Sequence, residues 1–182
     1  MDKDLGSSIA EHKRKALRDL RYAFVTVSTS RFDAELRGER IPDVSVEVAR
    51  ELIERHGDKL VSYILVPDNP RLILEALVNL LERNDVDVVV FSGGTGPAPS
   101  DVTVETVEPL LEKRLAGFGD VFRGLSYQEV GSSAFLSNAI AGVVHGKLVF
   151  LLPGSPDAVR EAFEKLILPE SGHVLSIARG HR

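Results

Sequence analysis

The sequence contains no cysteine and only one methionine. Without cysteine there is no disulfide, no thiolate nucleophile and no Cys-ligated zinc, so thiol-redox and zinc-scaffold classes fall away and nothing favours an oxidising compartment. Long apolar runs are also missing, where a bilayer span would need roughly 18 uninterrupted apolar residues. Residues 1–20 are polar and charged, without the apolar centre of a signal peptide, and a cytoplasmic protein is expected. Positive charge is not in excess either: 22 Lys and Arg stand against 27 Asp and Glu, a formal net charge of -5. A nucleic-acid surface needs clustered cations that neutralise many phosphates together, so neither nucleic acid nor membrane is expected as a partner. The histidines, His12, His56, His145, His173 and His181, lack metal-ligand spacing. Ser126 and Ser155 have no evident His and acid partners for a hydrolase triad.

What is present suits one domain. A chain of 182 residues with 43% hydrophobic content can bury a substantial core. Residues 1–20 read as a helical extension whose Lys and Arg run from His12 to Arg21 forms a solvated face, and residues 21–182 read as a single domain. Tyr22 to Ser28, Leu60 to Val66, Val86 to Ser92 and Lys147 to Leu152 are short, nearly continuous apolar runs, the pattern of strands buried on both faces. Segments with helical spacing alternate with them: Val44, Val48, Leu52 and Ile53; Ile73, Leu77, Leu80 and Leu81; Val107, Leu110 and Leu111; Val159, Ala162, Phe163 and Leu166. The alternation predicts a three-layer αβα fold around a mostly parallel sheet with right-handed crossovers. Gly117 to Gly131 breaks the rhythm and reads as a small hairpin or irregular insertion. A shorter helix is expected over Ser133 to Ala141, ended by Gly142.

The polar and glycine-bearing segments have a common position. Thr29 to Asp33, Pro67 to Pro70, Gly93 to Asp101 and Pro153 to Pro156 each follow a predicted strand, so all four should converge at the C-terminal edge of the sheet, where open α/β folds bind ligands. Ser92-Gly93-Gly94-Thr95-Gly96-Pro97 can turn successive amides toward one anion, or it can be a plain structural turn. It lacks the Lys-Ser/Thr ending of a P-loop and the spacing of a dinucleotide fingerprint. In Pro67-Asp68-Asn69-Pro70, Asn69 is the natural N-cap and Pro70 the first helical residue, which leaves the Asp68 carboxylate free. Asp101 lies two residues before the expected N-cap Thr103. Two such carboxylates beside a phosphate loop point to a divalent cation such as Mg2+, with solvated turn or capping roles as the plain alternative. Gly154-Ser155-Pro156 reads as a capped helix start, with Ser155 as N-cap, that can also meet a polar or anionic ligand group.

Taken together, Ser92-Gly93-Gly94-Thr95-Gly96-Pro97 with Asp101-Val102-Thr103, then Gly117-Phe118-Gly119-Asp120-Val121-Phe122-Arg123 with Leu125-Ser126-Tyr127, then Pro153-Gly154-Ser155-Pro156, resemble the MoaB/MogA family of molybdenum-cofactor biosynthesis. The resemblance runs from about Tyr22 to His173. It implies a molybdopterin adenylyltransferase that joins AMP from Mg-ATP to the terminal phosphate of molybdopterin and releases pyrophosphate. It further implies Asp68 and Asp101 as catalytic and Mg2+-binding residues, and Gly93, Gly94, Thr95 and Gly96 as the nucleotide or pterin-phosphate loop. Ser28, Ser30, Ser126, Gly154, Ser155 and Pro156 become further ligand contacts, and the implied assembly is a homotrimer or homohexamer. Three positions depart from the family pattern: Thr29 where an acidic residue is frequent, Asn138 where Leu-Ser-Arg is common, and Val46 in Asp43-Val44-Ser45-Val46 where glycine is common. The departures motivate an alternative, a non-catalytic molybdopterin-binding or pathway-assembly protein. A nucleotide-hydrolysing relative that needs no pterin is a third reading.

Overall fold

The structure is a computed structural model that describes residues 16–180. The expected helical extension falls largely outside these residues. Its last five, 16–20, are not helical; Leu17 N donates to Gly172 O at 3.0 Å and Leu20 N to Asp58 at 2.8 Å.

Six strands form one sheet in the order β2-β1-β3-β6-β5-β4: β1 (Arg21–Val27), β2 (Lys59–Val66), β3 (Val88–Ser92), β4 (Lys113–Arg114), β5 (Ile140–Val144) and β6 (Lys147–Leu152). The four expected strands are β1, β2, β3 and β6, and their mutual pairings are parallel. Among the described residues seven α-helices cover the sheet: α1 (Thr29–Leu36), α2 (Val44–His56), α3 (Pro70–Glu82), α4 (Thr103–Val107), α5 (Ala116–Val130), α6 (Pro156–Ala162) and α7 (Leu168–Ala178), the last two joined by a π-helical turn, Phe163–Ile167. Alternate residues of each strand point to opposite faces. Tyr22, Phe24, Val88, Val90, Leu148 and Phe150 pack under α2, α6 and α7. Ala23, Val25, Val89, Phe91, Val149 and Leu151 pack under α3. Burial on both faces explains why these strands read as continuous apolar runs instead of alternating ones.

The structure corrects three local expectations. Gly117 to Gly131 is neither hairpin nor insertion but most of α5, a 15-residue helix. Glycine is tolerated in it partly for packing: a Cβ at Gly119 would sit 2.5 Å from Ala139 O. Ser133 to Ala141 is not a helix. A 3-10 segment, Gly131–Leu136, leads into β5, which turns through His145 and Gly146 and pairs antiparallel with β6. Both turn residues have positive φ, 48° and 67°, the geometry of a two-residue hairpin matched to strand twist. Gly142, expected to end a helix, is instead a strand residue where a Cβ would meet Lys113 O at 2.6 Å. Thr29 to Asp33, expected as loop, forms α1, with Ser28 accepting from Arg31 N as its N-cap.

Candidate functional site

Adjacent strand ends are stitched together at the C-terminal edge of the sheet. Ser28 N donates to Val66 O at 2.8 Å, Gly93 N to Leu152 O at 3.0 Å, and Ser92 Oγ to Pro153 O at 3.2 Å. Ser45 Oγ, at the start of α2, reaches Gly154 O at 2.9 Å. Asp43 caps that helix by accepting from Ser45 N and Val46 N, and also takes the hydroxyls of Thr26 and Tyr63.

The glycine loop has the shape its sequence suggested. Gly93 and Gly94 have φ of 106° and 62°, and a Cβ on Gly93 would lie 2.2 Å from Val27 O, so only glycine fits. Thr103 is not a helix cap; Val102 precedes α4 without a side-chain bond. Its side chain, fully buried, ties the loop instead: Thr103 N donates to Gly94 O and Thr103 Oγ1 to Gly93 O, both at 2.9 Å. With the carbonyls drawn inward, no acceptor among the described residues engages the amides of Gly94, Thr95 or Gly96. Such successive free N–H groups are the means by which backbone binds an anion.

Asp68 and Asp101 flank this loop. Asn69 and Pro70 take the capping positions of α3, as expected. Asp68 Oδ2 accepts from Thr29 N at 3.0 Å and Thr29 Oγ1 at 2.7 Å, while its Oδ1 lies 2.9 Å from where a Gly94 Cβ would be. Asp101 Oδ2 accepts from Ala98 N at 3.0 Å and lies 2.7 Å from the corresponding point at Gly96. Thr29, a departure from the family pattern, therefore holds Asp68 without adding a second negative charge. Among the described residues no three His, Cys, Asp or Glu side chains gather as a metal cage. Mg2+ needs no such cage, since one or two carboxylates with phosphate and water oxygens suffice, and carboxylates of that kind stand at the cleft wall in Asp101 and against the same loop in Asp68.

A cleft of about 510 Å3 opens beside the loop. Of the residues singled out in the sequence, Gly93, Gly94, Thr95, Gly96 and Asp101 line one wall, and Ser126, Gly154 and Ser155 line others. Pro156 is the first residue of α6 and supports Ser155, which caps the helix by accepting from Ala158 N. Asp68 stands behind Gly94, outside the lining. Ser28 and Ser30 are also outside it, at the head of α1 with their hydroxyls 3.3 Å apart.

Several cleft residues were not anticipated. Phe122, Val130, Ala134 and Leu136 give it an apolar side, and the buried Ser137 Oγ at its wall has no partner among the described residues. An unsatisfied buried hydroxyl of this kind costs about 1–3 kcal/mol. Glu161 also lines the cleft, with a side chain only 4% exposed. It accepts from Ser126 Oγ at 2.9 Å and Lys165 Nζ at 3.0 Å. The bond to Glu161 holds the Lys165 ammonium above its ordinary pKa against the opposing pull of desolvation. The available signal was Glu161 itself, a charge set between Val159, Ala162 and Phe163 on the apolar face of a predicted helix.

Residues 23–173 match the family model described as "Probable molybdopterin binding domain". Among curated relatives, "Molybdenum cofactor biosynthesis protein B" of Bacillus cereus is 44% identical over 168 residues, covering 92% of this chain and 95% of its own. "Probable molybdopterin adenylyltransferase" of Methanocaldococcus jannaschii is 43% identical, covering 92% and 98%. Among solved structures, the tungsten cofactor synthesizing protein MoaB of Pyrococcus furiosus superposes with a TM-score of 0.79 at 38% identity, covering 90% of this chain and 99% of its own.

Proposed function

The chain belongs to the molybdopterin-binding domain family of molybdenum-cofactor biosynthesis, and from that premise we propose that it is an adenylyltransferase acting on molybdopterin and Mg-ATP. The reading rests chiefly on one observation: Gly94, Thr95 and Gly96, whose amides are unengaged, line a cleft edged by Asp101, with Asp68 against the same loop. Adenylyl transfer joins two anionic partners, so catalysis consists mainly of holding their phosphates in line and stabilising charge on the pyrophosphate that leaves. The loop amides would hold a phosphate, Asp68 and Asp101 would hold Mg2+, and the metal would supply the charge neutralisation. The name carried by the Methanocaldococcus jannaschii relative supports the same activity.

The test is pyrophosphate release from ATP, Mg2+ and molybdopterin. Asp101→Ala should lower turnover roughly 100- to 1,000-fold, the scale of losing one electrostatic stabiliser. Parent-like turnover by that variant would remove Asp101 from the reaction, and a wild-type protein that binds molybdopterin without releasing pyrophosphate would establish the non-catalytic alternative.

We also propose a cytoplasmic homotrimer or homohexamer. Among the described residues no helix is long and apolar enough to cross a membrane. Val121, Tyr127, Val130 and Phe135, at 52%, 64%, 58% and 75% exposure, gather apolar surface on α5 and the segment after it, which supports self-association. Sedimentation of the wild type and of Phe135→Ser checks this; a monomeric wild type refutes it.

A further inference from the structure

Ser126 and Glu161 together fix a hydrogen-bond polarity in the cleft. A serine hydroxyl has one proton and two lone pairs, whereas a carboxylate only accepts. The 2.9 Å bond between them therefore commits the Ser126 proton to Glu161 Oε2. Glu161 cannot turn away to release it, because its other oxygen is held by Lys165 Nζ at 3.0 Å and the side chain is 4% exposed between α5 and α6. Toward the cleft, Ser126 is left with lone pairs alone.

That end of the cleft is consequently unlike the glycine loop. A phosphate oxygen placed at Ser126 would set lone pair against lone pair, beside a buried carboxylate, with no proton from Ser126 to meet it. A ring N–H or amino group would meet an acceptor that is already oriented. The neighbouring wall, Phe122, Val130, Ala134 and Leu136, is apolar and suits the faces of a flat heterocycle.

We propose that Glu161 is a positioning residue which locks Ser126 as an acceptor, so that this end of the cleft takes the exocyclic amino group of an aminopyrimidinone ring and not a phosphate. The proposal rests on the reading of the cleft as a pterin site and deepens it by giving the guest a direction, with its anionic end at Gly94 to Gly96 and its ring at Ser126. It removes Ser126 from the phosphate contacts.

The test compares two probes, hydroxymethylpterin and the matching lumazine, in which the exocyclic amino donor is replaced by a carbonyl acceptor. Both are followed by fluorescence titration of the intact protein. Wild type should bind the pterin on the order of tenfold more tightly than the lumazine, the scale of one hydrogen bond satisfied against one frustrated. In Glu161→Gln the amide oxygen must take Lys165, which only donates. The amide nitrogen then faces Ser126 and turns the Ser126 proton into the cleft, so the preference should fall to about one or reverse. Ser126→Ala should also abolish it, which keeps the proposal testable if the glutamine variant folds poorly. A general loosening would weaken both probes alike and leave their ratio unchanged. Equal binding of the two rings by wild type, or an unchanged preference in Glu161→Gln, overturns the proposal while leaving the pterin reading intact. Failure of both rings to bind while Mg-ATP still binds sinks the pterin reading and the proposal with it.

Discussion

Replacing Gly94 with alanine tests how the loop is built. Gly94 has φ of 62°, and its Cβ would fall 2.4 Å from Thr103 Oγ1, 2.9 Å from Asp68 Oδ1 and 3.2 Å from Val27 Cγ1. Alanine in this left-handed region costs on the order of 1–3 kcal/mol. The Thr103 hydroxyl must also leave its 2.9 Å bond to Gly93 O, and a buried carbonyl stripped of its donor costs about 1–3 kcal/mol. Gly94→Ala should thus lose about 2–6 kcal/mol, read as a lower urea midpoint at unchanged slope. The decisive comparison is a double-mutant cycle with Thr103→Ala. Once the hydroxyl is gone, alanine at 94 no longer displaces it, and the pair should cost about 1–3 kcal/mol less than the two single changes together. Strict additivity, or a Gly94→Ala protein within about 0.5 kcal/mol of wild type, would refute the geometry.

Thr29→Val should lower kcat/KM for pyrophosphate release about tenfold by removing a donor to Asp68 Oδ2 and the acceptor of Asp68 N, while Thr29→Ser keeps both; equal rates for the two variants would contradict this role. Burial alone would push the Asp87 carboxyl up, but hydrogen bonds from Arg21 and Arg179 outweigh it and hold its pKa at about 2. Because the unfolded value is about 3.9, its stabilisation is complete above roughly pH 4 and is lost as pH falls through about 2. Asp87→Asn should therefore cost about 2 kcal/mol at neutral pH and flatten that acid limb, which denaturation midpoints across the range will show.

The parallel half of the sheet was legible because strands buried on both faces announce themselves as apolar runs. So was the gathering of Gly93 to Gly96, Asp101 and Gly154 to Ser155, since strand-following loops must share an edge. The antiparallel margin was not. Leu136 and Ile140 stand four apart and imitate a helical face, yet they straddle the entry to β5. The glycines at 117, 119 and 124 each disfavour helix by about 1 kcal/mol relative to alanine, and contacts such as Gly119 against Ala139 O, distant in sequence, override that preference. Glu161 was hidden for a related reason: its partner Ser126 lies 35 residues away on another helix, so neither residue alone reveals the pairing.

The strand order carries a consequence for biosynthesis of the protein itself. β6, near the end of the chain, occupies the middle of the sheet between β3 and β5. A polypeptide still emerging from the ribosome can pair β1 with β2 and β3, but it leaves β3 with one open ladder until β6 is threaded in. Gly154 and Ser155 arrive with that same strand, so the ligand cleft closes only after the last strand of the sheet has been made. Truncated products therefore carry an unpaired edge and no working pocket, which marks them as natural clients for chaperones and proteases.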